Sequence, residues 1–195
     1  HGAHFFRPRC PACTQCRSLR VRADEFRPSR SQRRILAKNS DITLRIQPPR
    51  VTADHVRLFN AYHADMTARR GWSHNTTDPE DYETSFLVGL WPFAREFCYY
   101  RGDELIGVGL VDVFEEAVSS VYFFHDPAWR SLAPGTFSIL QELEFCRRTG
   151  RRYNYLGYWI SACPSMQYKA NFGPHELLER YVEEDEEPIW RLVEM

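Results

Sequence analysis

The sequence has no apolar run approaching the ~20 residues that a membrane-spanning helix needs. It also lacks the charged, apolar and small-residue succession of a secretory leader. Export is therefore not expected, and a cytoplasmic location without membrane partners is. In such a chain the six cysteines read as free thiols or metal ligands rather than disulfides. His55, His63 and His74 show no metal-ligand spacing with a carboxylate and read as surface or core residues. No Ser/His/Asp or Cys/His set has a convincing arrangement, which fits chemistry without a covalent enzyme intermediate and equally fits no catalysis. The first residue is His rather than Met, and part of the N-terminus is expected to be missing.

What is present suits a globular protein: 195 residues with 43% hydrophobic and 14% aromatic content bury one good core and a small appended module. The net charge of −1 conceals an asymmetry. Residues 1–50 hold 12 Lys and Arg against 3 Asp and Glu, and the remaining 145 hold 13 against 23. A basic N-terminal quarter on an acidic body matches an RNA-facing module, or a basic surface that balances an acidic one within a single fold.

Cys10, Cys13 and Cys16 follow C-x2-C-x2-C spacing, close enough for three thiols to meet on one metal. Structural zinc takes four ligands, and iron–sulfur clusters use similar cysteine runs, so a fourth ligand must come from His4 or from upstream. Residues 27–39 read as a basic helix. Ser29 is a natural N-cap and Gln32 completes a capping box. Arg30, Arg33, Arg34 and Lys38 fall mostly on one side, while Ile35 and Leu36 can face a core. Arg27 precedes them. Arginine suits phosphate because its planar fork makes paired hydrogen bonds, although a solvated face is the commoner fate of a charge run.

A strand over residues 42–46 ends at Pro48-Pro49, the expected seam between an N-terminal module of residues 1–48 and a main domain of residues 49–195. Thr52 opens a helix with Val56, Phe59, Tyr62 and Met66 on one stripe, and Asp78-Pro79 opens another. Three strands follow across residues 95–124, then a helix over 136–149, a strand at 153–157 and a last strand near 189–193. Gly157 lets the backbone leave the sheet, and residues 164–173 read as a helix stopped by Gly173-Pro174.

The stretch Tyr155-Leu156-Gly157-Tyr158-Trp159-Ile160, with Met166, Tyr168-Lys169-Ala170, Phe172 and Pro174, resembles the C-terminal signature of the aminoacyl-tRNA–protein transferases. Cys10-Pro11-x-Cys13-x-x-Cys16 and the segment from Phe26 to Arg34 are similar to that family's N-terminal features. The bacterial leucyl branch is the nearer likeness, with the arginyl transferases as its relatives.

The order of elements resembles the GNAT-type acyltransferase fold, an α+β class with a mixed, mostly antiparallel sheet and flanking helices. One departure is informative. Where acetyltransferases cradle a pyrophosphate, this chain has Arg130-Ser131-Leu132-Ala133-Pro134-Gly135-Thr136, and Pro134 removes an N–H from the cradle. That disfavours acetyl-CoA as donor. A non-catalytic metal- and RNA-binding module is the other alternative.

The resemblance implies aminoacyl-tRNA as donor, leucyl in preference to arginyl. It implies acceptor proteins or peptides that begin with Asp or Glu, N-degron tagging for degradation, and no cofactor for the chemistry beyond a structural zinc or iron–sulfur cluster. It further implies tRNA contact by Arg27, Arg30, Arg33, Arg34 and Lys38. Asp126 would orient the incoming ammonium. Tyr158 and Tyr168 would stack on the terminal adenine or donate to the ester oxygen. Lys169 would hold the acceptor's carboxylate or a tRNA phosphate. The alternatives are an Asp-Pro turn, core tyrosines and a lysine whose stem lies along apolar surface.

Overall fold

The computed structural model describes residues 8, 10, 13–87, 91–183 and 185–193. Its elements in chain order are β1 (Arg17–Arg22), α1 (Arg30–Lys38), β2 (Ile42–Gln47), α2 (Ala53–Arg70), α3 (Pro79–Phe86), β3 (Ala94–Arg101), β4 (Glu104–Val113), β5 (Ala117–His125), α4 (Pro134–Arg148), β6 (Tyr153–Trp159), β7 (His175–Leu178) and β8 (Trp190–Val193), with 3-10 turns at Pro127–Leu132 and Gln167–Asn171. The sheet order is β2-β3-β4-β5-β6-β1-β7-β8. The ladders β2–β3–β4 and β6–β1–β7–β8 are antiparallel, and β5 runs parallel to β6. The expected α+β class, mixed and mostly antiparallel with flanking helices, is the one observed.

The chain divides into two compact units that interleave along the sequence. The first holds Ser29–Val113 and Val121–Leu140, and the second holds Phe114–Ser120, Gln141–Met195 and the stretch that ends at Pro28. The seam expected at Pro48-Pro49 runs inside the first unit, because β2 pairs with β3 from Ile42↔Arg101 to Gln47↔Glu96.

In the first unit, alternation along β3 sends side chains to two faces. Cys98 and Tyr100 join Leu58 and Phe59 of α2, Tyr82 of α3, and Leu105, Val108 and Phe124 in one apolar cluster. Tyr99 packs instead on Trp129 and Phe137, with ring centroids 5.6 and 5.9 Å away. Helix α2 begins where expected, with Thr52 as N-cap, but the stripe it buries differs. Its buried residues are His55, Leu58, Phe59 and His63, while Val56, Tyr62 and Met66 are half-buried. Each histidine has one polar partner inside, His55 Nδ1 at Thr52 Oγ1 and His63 Nε2 at the Tyr122 hydroxyl, which offsets part of the cost of burying them. His74 is exposed.

In the second unit β1 lies between β6 and β7, with Leu19 and Val21 fully buried. Its other side carries Arg20 and Arg22, which share the Glu176 carboxylate at 2.6 and 2.7 Å. The Arg20 guanidinium is stacked between Tyr153 and Trp190, 3.9 and 4.1 Å from their ring centroids. Neither β1 nor β7 is expected from the sequence, because arginines make up half of RSLRVR and HELL is only four residues long. The helix expected at 164–173 is a single 3-10 turn, Gln167–Asn171.

Candidate active site

The stretch that carries the signature forms a bulge. Gly157 sits in β6 at φ +73°, a left-handed conformation that costs other residues about 1–2 kcal/mol. The β1–β6 register shifts here: Ser18 faces Tyr158, but Arg20 faces Tyr155. An extra β6 residue therefore breaks the ladder at Gly157. The carbonyls on either side of it converge on one group. Lys169 Nζ donates to Leu156 O at 2.7 Å and to Tyr158 O at 2.8 Å. A Cβ on Gly157 would stand 3.9 Å from that ammonium. Burial pulls the Lys169 pKa down from its ordinary value.

Tyr158 sits beside this clamp, edge-on to Tyr181 with centroids 6.3 Å apart. Ser18 Oγ and the Tyr181 hydroxyl are 3.1 Å apart. Burial raises the Tyr158 pKa and the nearby Cys16 thiol adds to it. Tyr168, one residue before the clamping lysine, is 40% exposed. The structure thus brings Lys169 and Tyr158 together.

Asp126 belongs to the first unit. Its Oδ1 accepts from Ala128 N at 2.7 Å and caps the turn Pro127–Leu132. The ring of His125 donates from Nδ1 to the Asp126 carbonyl at 2.8 Å, which leaves Nε2 as the acceptor nitrogen of a neutral imidazole. Burial lowers the His125 pKa, so that neutral form prevails at pH 7. Around it stand Tyr62, with its ring 5.1 Å away, and an ion pair between Arg130 and Asp65. Asp65 also takes Arg69 at 3.1 Å, and His63 Nε2 lies 2.9 Å from the Tyr122 hydroxyl. Sequence reasoning missed this cluster. Its members lie on α2, β5 and the following turn, and no spacing in the chain announces their meeting.

The turn before α4 is held rigidly. Asn39, just past α1, donates from Nδ2 to Leu132 O at 3.0 Å and accepts from Trp129 Nε1 at 2.7 Å. Ala133 takes φ 56°, and Pro134 is the first residue of α4. The N-terminus of α4 accordingly lacks the Pro134 N–H that a phosphate cradle would use.

The family model described as arginine-tRNA–protein transferase, C terminus, matches residues 54–179, and its N-terminus counterpart matches residues 1–34. The chain belongs to this transferase family. Among relatives of the transferase, the aspartate/glutamate leucyltransferase of Helicobacter hepaticus is 38% identical over 191 residues, covering 98% of this chain and 79% of that protein. The enzyme of the same name from Pseudoalteromonas atlantica is 37% identical over 192 residues, covering 98% and 78%. Among solved structures, L-PGS from Bacillus licheniformis matches with a TM-score of 0.54 at 12% identity, over 75% of this chain and 46% of that one. FemX matches with 0.53 at 11%, over 75% and 54%. At such identities these two show the shared fold alone.

In the transferase, Arg30, Arg33, Arg34 and Lys38 are exposed on α1, whose capping box from Ser29 and Gln32 is formed as expected. Arg27 is exposed too, with its guanidinium folded onto the Asp24 and Phe26 carbonyls. Cys10 and Cys13 are exposed and Cys16 is half-buried. Among the described residues, the ligand-type side chains whose donor atoms come within 4.8 Å of one another are His55, Glu96 and Cys98, and the three N-terminal cysteines are not among them. His4 lies outside the described residues. No helix among the described residues is long and apolar enough to cross a membrane.

Proposed function

We propose that this transferase moves leucine from leucyl-tRNA to the N-terminal α-amine of proteins that begin with Asp or Glu, marking them for N-degron degradation in the cytoplasm. The observation that carries this reading is 38% identity over 98% of the chain to a leucyltransferase named for aspartate and glutamate. The family-model description leaves arginine as the alternative amino acid. Pro134 at the head of α4 speaks against an acyl-CoA donor.

The reaction is aminolysis of an ester that is already activated. The acceptor nitrogen attacks the aminoacyl carbonyl, a C–N bond forms, the C–O bond to the terminal ribose breaks, and the ribose oxygen takes up a proton. The acceptor ammonium, with a pKa of ~8, must first lose one proton. His125 Nε2 is suited to take it, and Asp126 to orient the ammonium. Tyr158 and Tyr168 retain their proposed roles beside the terminal adenine and the ester oxygen. Lys169 takes a revised role. Its ammonium is engaged by two backbone carbonyls, so it acts by fixing the bulge that presents Tyr158. Arg27, Arg30, Arg33, Arg34 and Lys38 contact tRNA phosphates. Cys10, Cys13 and Cys16 hold a structural zinc or iron–sulfur cluster, with a ligand from outside the described residues.

Radiolabelled leucyl-tRNA, arginyl-tRNA and acetyl-CoA, each offered with Asp-start and Ala-start peptides, separate the readings. Transfer of leucine to the Asp-start peptide is expected. Equal labelling of both peptides, or labelling from acetyl-CoA, would refute it.

A further inference from the structure

The interior of the first unit holds a polar cluster for which aminoacyl transfer has no use. Glu96 and Cys98 stand two residues apart on β3 and so project to the same face. His55 reaches them from the first turn of α2, and Gln47 is opposite Glu96 on β2. His55 is 1% exposed, and Glu96 and Cys98 are 0% exposed.

The contacts are specific. His55 Nδ1 lies 2.7 Å from Thr52 Oγ1. His55 Nε2 lies 3.3 Å from Glu96 Oε2, yet off the line that a hydrogen bond needs, and has no hydrogen-bond partner. Cys98 Sγ is 3.4 Å from Glu96 Oε1. The Gln47 amide is 2.5 Å from that oxygen and 3.8 Å from the sulfur. Arg50 reaches Glu96 with its backbone N–H at 3.3 Å and, from an exposed side chain, with Nε at 3.9 Å.

We propose that His55, Glu96 and Cys98 bind one divalent transition metal of the zinc class, with the Gln47 amide oxygen in the fourth position. Tetrahedral zinc with bonds of ~2.0–2.1 Å to N and O and ~2.3 Å to S has edges of about 3.3 Å for N···O and about 3.6 Å for O···S. The observed 3.3 Å runs to Glu96 Oε2 and the 3.4 Å to Oε1, and the Gln47 amide stands 2.5 Å from Oε1, so the Glu96 carboxylate and the Gln47 amide must turn to place one oxygen each on the ion.

The contacts around the three side chains bear on this reading. The 2.7 Å contact with Thr52 Oγ1 allows His55 to carry its proton on Nδ1, and in that tautomer the Nε2 lone pair points inward, the usual state of a metal-bound imidazole. Amide N and O are interchangeable by a flip, so Gln47 can turn its oxygen inward.

The charge also closes. Binding releases the Cys98 thiol proton to solvent, and thiolate, carboxylate and a divalent ion sum to zero where a net charge would be costly. The site is closed on all sides, so the metal ties α2 to the β2–β3 pair and supplies no open position for chemistry.

The test uses the full chain with Cys10→Ser, Cys13→Ser and Cys16→Ser, loaded with cobalt(II) or zinc and freed of excess. The expected result is about one ion per chain, a thiolate-to-cobalt charge-transfer band, and one sulfur at ~2.3 Å by X-ray absorption. Adding Cys98→Ser should abolish the band and cut binding at least tenfold. Should that variant fail to fold, the X-ray absorption shell of its parent decides. A shell without sulfur, or a parent that retains no metal, would overturn the proposal and leave a hydrogen-bonded buried triad.

Discussion

Lys169 shows how one residue changes meaning once its neighbours are known. A lone lysine in a signature stretch invites an ionic role toward substrate, but its Nζ donates to the carbonyls of Leu156 and Tyr158 across the Gly157 bulge. A positioning role makes a definite forecast. Lys169→Met should lower kcat roughly 10- to 100-fold, since misplacing reacting groups by ~1 Å costs about that much. It should leave the KM for an Asp-start peptide within about twofold and the preference over an Ala-start peptide intact. Steady-state kinetics with both peptides checks this. A raised KM with lost preference would return Lys169 to the acceptor pocket. The need for a special residue at Gly157 is legible in the sequence. The destination of the lysine is not, because it depends on a 3-10 turn folding back over β6.

Among the elements, β4 and the turn after β5 set the tightest condition. A Cβ on Gly107 would come within 2.7 Å of the Trp129 ring, which is 1% exposed. Trp129 is held in turn by Asn39, so it cannot swing aside. Gly107→Ala should therefore cost about 1–3 kcal/mol through overpacking. For a chain of this size that lowers the thermal midpoint by roughly 2–4 °C per kcal/mol. Gly109→Ala serves as the control, because its Cβ would meet nothing nearer than 3.5 Å. Calorimetry of the two variants decides, and equal midpoints would mean that Trp129 can yield. Helix starts were readable at this scale, since Ser29, Thr52 and Asp78 cap α1, α2 and α3 by local hydrogen bonds. Strands β1 and β7 were not. Arg20, Arg22 and Glu176 are tolerated there only because they meet each other across the sheet.

At the scale of the molecule, the charge asymmetry bears on how a polyanionic substrate is held. Arg33→Ala with Arg34→Ala on exposed α1 should raise the KM for aminoacyl-tRNA and leave that for the peptide nearly unchanged. The log–log salt dependence of tRNA binding should flatten by somewhat under 1 for each phosphate that is no longer neutralised. Arginine-to-lysine changes should recover part of the binding, because charge stays while the fork geometry goes. An unchanged salt slope in a less stable protein would assign α1 to architecture. The sequence by itself determined the α+β class, most of the element order, the helix caps and the family, all of which rest on local periodicity, local hydrogen bonds or contiguous motifs. Only the tertiary structure decided that His125 presents a neutral imidazole beside Asp126, that Lys169 clamps the bulge, and that His55 meets Glu96 and Cys98. The last two join residues on separate elements, and the first rests on the burial of a ring among residues of α2 and the turn after β5. Burial and pairing are properties of the packed chain, and no stretch of sequence carries them alone.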